Sequence, residues 1–289
     1  MKQIVVISGK GGTGKTILTA CFAVLADRKV LVDCDVDAAD LHLLLHPVNR
    51  EHHEFKSSQV AEIQPARCSR CGLCIDLCRF DAIESDFVVD PISCEGCGLC
   101  SRICPVDAVS MKDRVSGEWF VSDTRYGPFV HARLGIAEAN SGKLVTLIRQ
   151  TAKEIAVRDN LDYVIIDGPP GIGCPVMASL ADTDLALVVT EPTVAGIHDL
   201  SRIIDVTHRF QTSAGVVINK FDLNLSKSGE IERLCGSSGV DIMGKIPFSA
   251  QVPRSLVKGV PFVELFRDPV AAEITSVWKK AAAAAGPQE

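Results

Sequence analysis

The 289-residue sequence predicts an α/β fold, a doubly wound parallel sheet interrupted by a small α+β module. Three observations carry that expectation. Short runs rich in Val and Ile, among them QIVVI at 3–7, DYVIIDG at 162–168, LALVVTEP at 185–192 and AGVVINKF at 214–221, alternate with helix-length segments, as parallel strands covered on both faces do. The glycine-rich stretch GKGGTGKT, residues 9–16, follows the first run directly. Finally, composition changes at about Gln64 and again at about Asp113, where a cysteine repeat begins and ends.

In chain order, the strand at 3–7 leads through the glycines to an apolar helix from Ile17 to Asp27, and Lys29 to Val32, closed by Asp33, is the second strand of a βαβ unit. HPVNREHHEFKSSQ, residues 46–59, reads as a polar linker in which His52 and His53 are solvated. Beyond the cysteines, YGPFVHARLGIAEANSGKLV (126–145) has no strong periodicity and reads as a loop with Asn140 or Ser141 capping the next helix; a partner-binding switch with His131 in it is the rival reading. A helix then spans Leu144 to Val157, a second begins at Met177 to Ala181, a third lies near Ile197 to Phe210, and MGKIPF forms a short last strand. Ile274, Val277, Trp278 and Ala281 are spaced as the core-facing stripe of a final helix, followed by a fraying tail. The boundaries expected are 1–63 with 114–289 for the large, discontinuous domain, and 64–113 for the insert.

A net charge of −6 and a pI near 5.7 argue against nucleic-acid binding, which favours basic stripes. The N-terminal apolar run is too short for a signal-peptide core or a membrane span, and no membrane anchor is evident, so a cytoplasmic location is expected. Of twelve cysteines, eight have metal-type spacing, which favours ligation over disulfides.

GKGGTGKT satisfies G-x-x-x-x-G-K-[ST], a P-loop. Gly9, Gly11, Gly12, Thr13 and Gly14 form a loop whose amides face an anion, Lys15 reaches the β and γ phosphates, and Thr16 presents its hydroxyl to Mg²⁺. Gly9, Gly11 and Gly14 also fit the dinucleotide pattern G-x-G-x-x-G, with Asp33 as the ribose acid. Lys15-Thr16 decides for the P-loop, because a triphosphate and its metal need them, and Asp167 at a strand end supplies a Walker B-type carboxylate.

Lys10, together with VDCDVDAADL (32–41) and DGPPG (167–171), makes the chain resemble the deviant-Walker-A ATPases of the MinD, Mrp and ParA type, the group that includes the nitrogenase iron protein. The resemblance implies MgATP, a nucleotide-sandwich homodimer in which Lys10 reaches the partner's phosphates, Asp35 orienting the attacking water, and Asp33 near the metal. Asn219 and Lys220, with Pro247 in KIPFSAQVPRS, resemble the family's base-binding segments. Asn219-Lys220-Phe221-Asp222 also spells the N-K-x-D of GTPases, so a GTPase is an alternative.

C-x₂-C-x₂-C-x₃-C occurs twice, the pattern of a two-[4Fe–4S] ferredoxin in which the fourth cysteine of each run ligates the other cluster. One cluster is expected on Cys68, Cys71, Cys74 and Cys104, the other on Cys94, Cys97, Cys100 and Cys78; two zinc knots compete for the same thiolates. Cys104 precedes Pro105, as the pattern expects, whereas Cys78 precedes Arg79, whose guanidinium favours the reduced state of its neighbouring cluster. Between Cys68 and Cys104 stand three Arg, no Lys and six Asp or Glu, so a redox or cluster-accepting client is expected to offer a basic face. Cys21, Cys34 and Cys235 read as buried hydrophobes. Cys174 lies seven residues past Asp167, an offset similar to that of a cluster ligand in the nitrogenase iron protein, but no companion cysteine lies between Cys104 and it, and a structural or partner-facing thiol is the competing reading. The resemblance implies ATP-gated electron transfer; a metallocluster assembly carrier is the alternative, and a spatial-positioning ATPase is more distant.

Overall fold

The computed structural model describes residues 1–135 and 141–286. In chain order the first elements are β1 (Lys2–Ser8), α1 (Lys15–Leu25), β2 (Lys29–Asp33), α2 (His42–Leu45), β3 (Val48–Ile63), α3 (Leu73–Asp76), α4 (Leu99–Ile103), β4 (Val109–Thr124) and β5 (Gly127–Leu134). There follow α5 (Ser141–Arg158), β6 (Tyr163–Pro170), α6 (Cys174–Leu180), β7 (Leu185–Thr190), α7 (Val194–Arg209), β8 (Ser213–Asn219), α8 (Leu225–Ser238), β9 (Asp241–Ile246), α9 (Val252–Lys258), α10 (Phe262–Leu265) and α11 (Pro269–Ala284). The sheet order is β3-β4-β5-β2-β6-β1-β7-β8-β9. The chain forms two compact units, one of Met1–His52, Trp119–Arg133 and the residues from Ser141 onward, the other of His53–Glu118 with a short stretch beginning at Leu134.

The first unit is an α/β parallel sheet. β1 pairs in parallel with β6 and β7, β2 with β5 and β6, and β7, β8 and β9 follow in sequence. Ile4, Val5, Val6 and Ile7 of β1 are fully buried, because helices cover both faces and neither alternate set of side chains meets water. Phe22 of α1 packs on Trp278 of α11 with ring centroids 5.1 Å apart, and Ile274, Val277 and Ala281 are buried beside it, as the spacing of the final helix predicts. Side chains cap α7 (Thr193 accepting from Gly196 N–H), α8 (Asn224 from Lys227 N–H) and α11 (Asp268 from Ala271 N–H). α1 is different. Its N-cap is Gly14, with φ of 98° and no side-chain bond to the first turn, so the amides there are left for something else.

Three expectations need correction. Residues 46–59 are not a linker: from Val48 they belong to β3, and His52 stacks on Phe120 of β4 at 4.8 Å. β3 is an edge strand of the sheet beside β4, and an edge strand tolerates the polar composition that reads as loop. Residues 127–134 are strand rather than loop, since Phe129 and Val130 are fully buried beside Leu31 and Val32 of β2. The helices expected from Met177 and Ile197 begin earlier, at Cys174 and Val194. Helix α5 begins at Ser141; Asn140, the other cap candidate, lies outside the described residues.

The second unit has little regular structure beyond its strands. α3 and α4 each follow a glycine with positive φ, Gly72 at 83° and Gly98 at 72°, so the duplication in sequence is repeated in backbone conformation. An antiparallel bridge joins Ile83 to Val89. Among the described residues no helix is long and apolar enough to cross a membrane.

Phe22 is fully buried, so Phe22→Ala is expected to lower unfolding free energy by about 3–5 kcal/mol, read from urea denaturation. A loss below about 1 kcal/mol would place this ring outside the core.

Candidate functional site

The C-terminal ends of the parallel strands converge on the glycine loop, where open α/β sheets leave a crevice for ligands. Residues 9–14 connect β1 to α1. Gly9 approaches α7 so closely that a Cβ there would lie 2.2 Å from Asp199 Cβ, and a Cβ on Gly14 would meet Asn219 Nδ2 at 2.6 Å. Lys15 is 5 % exposed, and the buried Thr13 hydroxyl has no hydrogen-bond partner. A buried hydroxyl without a partner is costly, and an anion in the loop would satisfy it.

Opposite the loop stand three carboxylates. Asp33 ends β2 and pairs in register with Asp167 of β6. Asp33 accepts hydrogen bonds from the Asp35 and Leu41 amides at 3.1 and 3.2 Å, and Asp167 Oδ1 accepts one from Thr19 Oγ1 at 3.0 Å. Burial pushes Asp167 up to about 6, against the lowering effects of the Thr16 hydroxyl, Lys15 and Thr19. Burial, then Asp167, raises Asp33 well above the carboxylate range, and burial raises Asp35 although Lys15 opposes it. Three carboxyl groups against one buried lysine are short of positive charge, and a divalent cation near Thr16 would supply it.

A cavity of about 280 Å³ adjoins the loop, lined by Gly12, Gly14, Asn219, Lys220, Pro247 and Phe248 among others. Asn219 Nδ2 donates to Thr13 O at 2.7 Å and its Oδ1 accepts from Lys220 N–H at 3.0 Å, so this amide fixes the loop. Asp222 does not line the cavity. Its Oδ1 accepts from the Phe248 amide at 2.7 Å, tying down the segment that does line it.

In the second unit the cysteines gather in two sets. Cys94, Cys97, Cys100 and Cys78 line a cavity of about 250 Å³, with Cys74, Arg79, Leu77, Phe80 and Ile103 also in its wall. Cys68, Cys71, Cys74 and Cys104 line a smaller one of about 20 Å³ with Phe87, Val106 and Val109. Both cavities are lined by cysteines of both runs, and Cys74 borders the two. The Ala82 amide donates to Cys78 Sγ at 3.4 Å and the Ala108 amide to Cys104 Sγ at 3.2 Å, the same four-residue relation in both halves. Such bonds favour thiolate, and those from Ala108 and Val106 hold Cys104 below the usual thiol range. Apolar walls and amide donors to sulfur are chemistry that a soft iron–sulfur core would use, and the larger cavity has room for one, whereas the smaller holds little more than a water as it stands. Among the described residues no three His, Cys, Asp or Glu side chains form a group that could hold one metal ion.

The model of the CobQ/CobB/MinD/ParA nucleotide binding domain matches residues 4–262. The chain belongs to that family. The MinD/ParA-family ATPase is 38 % identical to an uncharacterized protein of Methanocaldococcus jannaschii over 261 residues, covering 89 % of this chain and 88 % of that one. It is 30 % identical over 135 residues to the cytosolic Fe-S cluster assembly factor NUBP2 of Mus musculus, covering 42 % and 49 % of the two chains. The septum site-determining protein MinD of Pyrococcus horikoshii, solved in complex with Mg-ADP, superposes with a TM-score of 0.58 at 17 % identity over 96 % and 95 % of the chains, a likeness of fold.

In this MinD/ParA-family member the crevice brings together Lys15, Thr16, Asp33, Asp35 and Asp167, with Asn219, Lys220 and Pro247 at the adjoining cavity. Lys10 turns elsewhere, to Glu191 at 3.2 Å. Sequence reasoning passed over Thr19 and Glu191. Thr19 lies one helical turn from Thr16 on α1, and Glu191 follows β7 at the strand ends; both positions are signals of a kind. His131 is half-buried, 4.6 Å from Phe129 and 5.0 Å from Phe120 in stacked geometry, with burial pressing it down to about 4; it is a packed, neutral ring. Cys174 is exposed at the start of α6, whereas Cys21, Cys34 and Cys235 are buried.

The raised Asp167 group sets a pH dependence. Its unfolded value is near 3.8 and its folded value about 6, so its destabilising ionisation appears as pH rises across that interval and is complete above it. Asp167→Asn is therefore expected to stabilise the ligand-free protein at pH 7.5 by up to roughly 3 kcal/mol, a gain that shrinks towards pH 4. Thermal unfolding across that range checks it; a pH-independent gain contradicts it.

Proposed function

We propose that the chain is a MgATP-hydrolysing, homodimerising iron–sulfur protein of the cytoplasm, in which nucleotide state governs electron transfer through two [4Fe–4S] clusters to a client protein. What supports the reading is that Cys78 lines one cavity with Cys94, Cys97 and Cys100, and Cys104 lines another with Cys68 and Cys71, while Cys74 borders both. We take residues 64–113 as the ferredoxin-like insert and 1–63 with 114–289 as the ATPase.

The nucleotide chemistry follows from the crevice. Loop amides and the Thr13 hydroxyl bind the phosphates and Lys15 neutralises the β and γ oxygens; Thr16 and Asp167 would hold Mg²⁺, which would supply further positive charge there when bound. Asp35 orients water towards the γ phosphate, and Lys10 reaches the nucleotide of the second subunit. Asn219, Lys220 and the Pro247 segment seat the base, and the engagement of Asp222 elsewhere supports adenine over guanine. In the cysteine unit, thiolates and backbone amides would hold the clusters, each of which stores or releases one electron when bound. Arg79, in the wall of the larger cavity, favours the reduced state there.

A cluster-assembly carrier is the second reading, favoured by the likeness to NUBP2. Complete four-thiolate sets make clusters hard to give away, which supports electron transfer.

Two experiments test these claims. Anaerobically prepared protein is expected to contain about eight iron atoms per chain, and Cys78→Ser to lose the cluster of Cys94, Cys97 and Cys100 while the other keeps its EPR signal; loss of the signal tied to Cys68, Cys71 and Cys74 instead contradicts the crossed ligation. With client present, reduced clusters are expected to oxidise faster with MgATP than with ADP or no nucleotide. Equal kinetics in all three states remove ATP gating.

A further inference from the structure

Glu191 stands directly after β7, among the strand ends that surround the glycine loop. Its carboxylate lies between two cations: Oε2 is 3.2 Å from Lys10 Nζ, and Oε1 accepts a hydrogen bond from Lys220 Nζ. The glutamate side chain is 13 % exposed and each lysine 34 %. Burial works against its charge, but the hydrogen bonds and attraction of Lys220 and Lys10 outweigh it and hold the carboxyl below its usual range.

Lys220 belongs to the base cavity and is fixed through its backbone, since its amide bonds Asn219 Oδ1 and Asn219 bonds Thr13 O. The Glu191 backbone is likewise set: a Cβ on Gly196 would lie 2.3 Å from Glu191 O, and Thr190 Oγ1 donates to Gly196 O at 3.1 Å. Lys10 sits in the glycine loop, where Gly11 has open space around it and Gly12 has φ of 77°. The Lys10 backbone is held too, its carbonyl accepting from Ser8 Oγ at 2.6 Å; what sets the lysines apart is that Lys220 also lines the base cavity, so the Lys10 side chain is the partner that would leave the carboxylate.

We propose that Glu191 is a positioning residue that stores Lys10 beside its own loop in the nucleotide-free chain, and that the triphosphate releases it. A carboxylate shared by two lysines holds each weakly, and a partly exposed ion pair is a modest attraction. The γ phosphate carries more negative charge and draws Lys10 away; ADP, lacking that group, does not. Lys220 stays on Glu191 and keeps the carboxylate paired when Lys10 departs, so no buried charge is stranded. The device makes the loop lysine available only when a triphosphate is present. It rests on the dimerising-ATPase reading in one respect, that the released lysine serves the second subunit.

The test uses the full chain with Glu191→Gln, Glu191→Asp, Lys10→Ala and the Gln/Ala double variant. Labelling of Lys10 by an amine-acylating reagent, read by mass spectrometry, reports the stored state without reference to dimers. Lys10 is expected to be protected without nucleotide or with ADP, and to be labelled about five-fold faster in Glu191→Gln. Sedimentation reports the consequence: Glu191→Gln is expected to dimerise at about five-fold lower ATP and to begin dimerising with ADP, with KM for ATP lowered more than kcat is changed, and with no effect in the Lys10→Ala background. Glu191→Asp, which keeps the charge, should restore part of the discrimination between ATP and ADP. Equal Lys10 labelling in wild type and Glu191→Gln, or an equal Glu191→Gln effect with Lys10 absent, overturns the proposal. If Glu191→Gln does not fold, wild-type labelling decides: equal rates with ADP and with a non-hydrolysable ATP analogue overturn it. Dimerisation of Lys10→Ala at wild-type ATP concentrations removes the dimer reading alone, while the labelling result still stands or falls by itself.

Discussion

The structure turns on the parallel register that sets Asp33 at the end of β2 beside Asp167 at the end of β6, both buried, with Lys15 as the compensating charge. Two adjacent carboxylates taken out of water are unfavourable together, and their raised titration expresses that cost. The surrounding sequence is consistent with it. Thr16 and Thr19 on α1 bond Asp167, backbone amides bond Asp33, and the uncapped start of α1 leaves its amides facing the same space. A group bringing phosphate charge to the amides and metal charge to the carboxylates would match both halves of the site.

Much of this was legible in the sequence because it is local. GKGGTGKT between a Val/Ile-rich strand and an apolar helix specifies loop, helix start and lysine within 8 letters, and Asp167 is marked by the strand it closes. The cysteine spacing is equally local, and the crossed grouping of Cys78 with the second run and Cys104 with the first is an expectation of the ferredoxin pattern; the larger cavity is lined by Cys74 as well as Cys78, Cys94, Cys97 and Cys100. What escaped notice depends on pairing. β3 is an edge strand with solvent-facing Arg50, Glu51 and His52, and only its partner β4 makes it a strand. Residues 127–134 carry too few apolar positions to stand out, yet Phe129 and Val130 fill the space beside β2. Glu191 escaped for a related reason: its meaning lies in Lys10 and Lys220, which are far from it in sequence.

The same residues separate rival readings of shared letters. N-K-x-D is a guanine signature only if the aspartate faces the base, and here Asp222 holds the Phe248 amide instead. His52, expected in a solvated linker, and His131, expected in a loop or a partner-binding switch, each stack on an aromatic ring in the sheet. Chemistry is therefore concentrated in two places, the strand ends around the glycine loop and the two thiol-lined cavities. The proposed function would join them through nucleotide state.

That union has a thermodynamic consequence, because coupling between two sites is reciprocal. If nucleotide state governs the clusters, their reduction potentials must differ between nucleotide states. EPR-monitored redox titration of the anaerobic protein with ADP and with a non-hydrolysable ATP analogue measures this directly. The account predicts a shift of tens of millivolts in at least one cluster, where about 59 mV is a tenfold coupling for one electron. Identical potentials in the two states would contradict it.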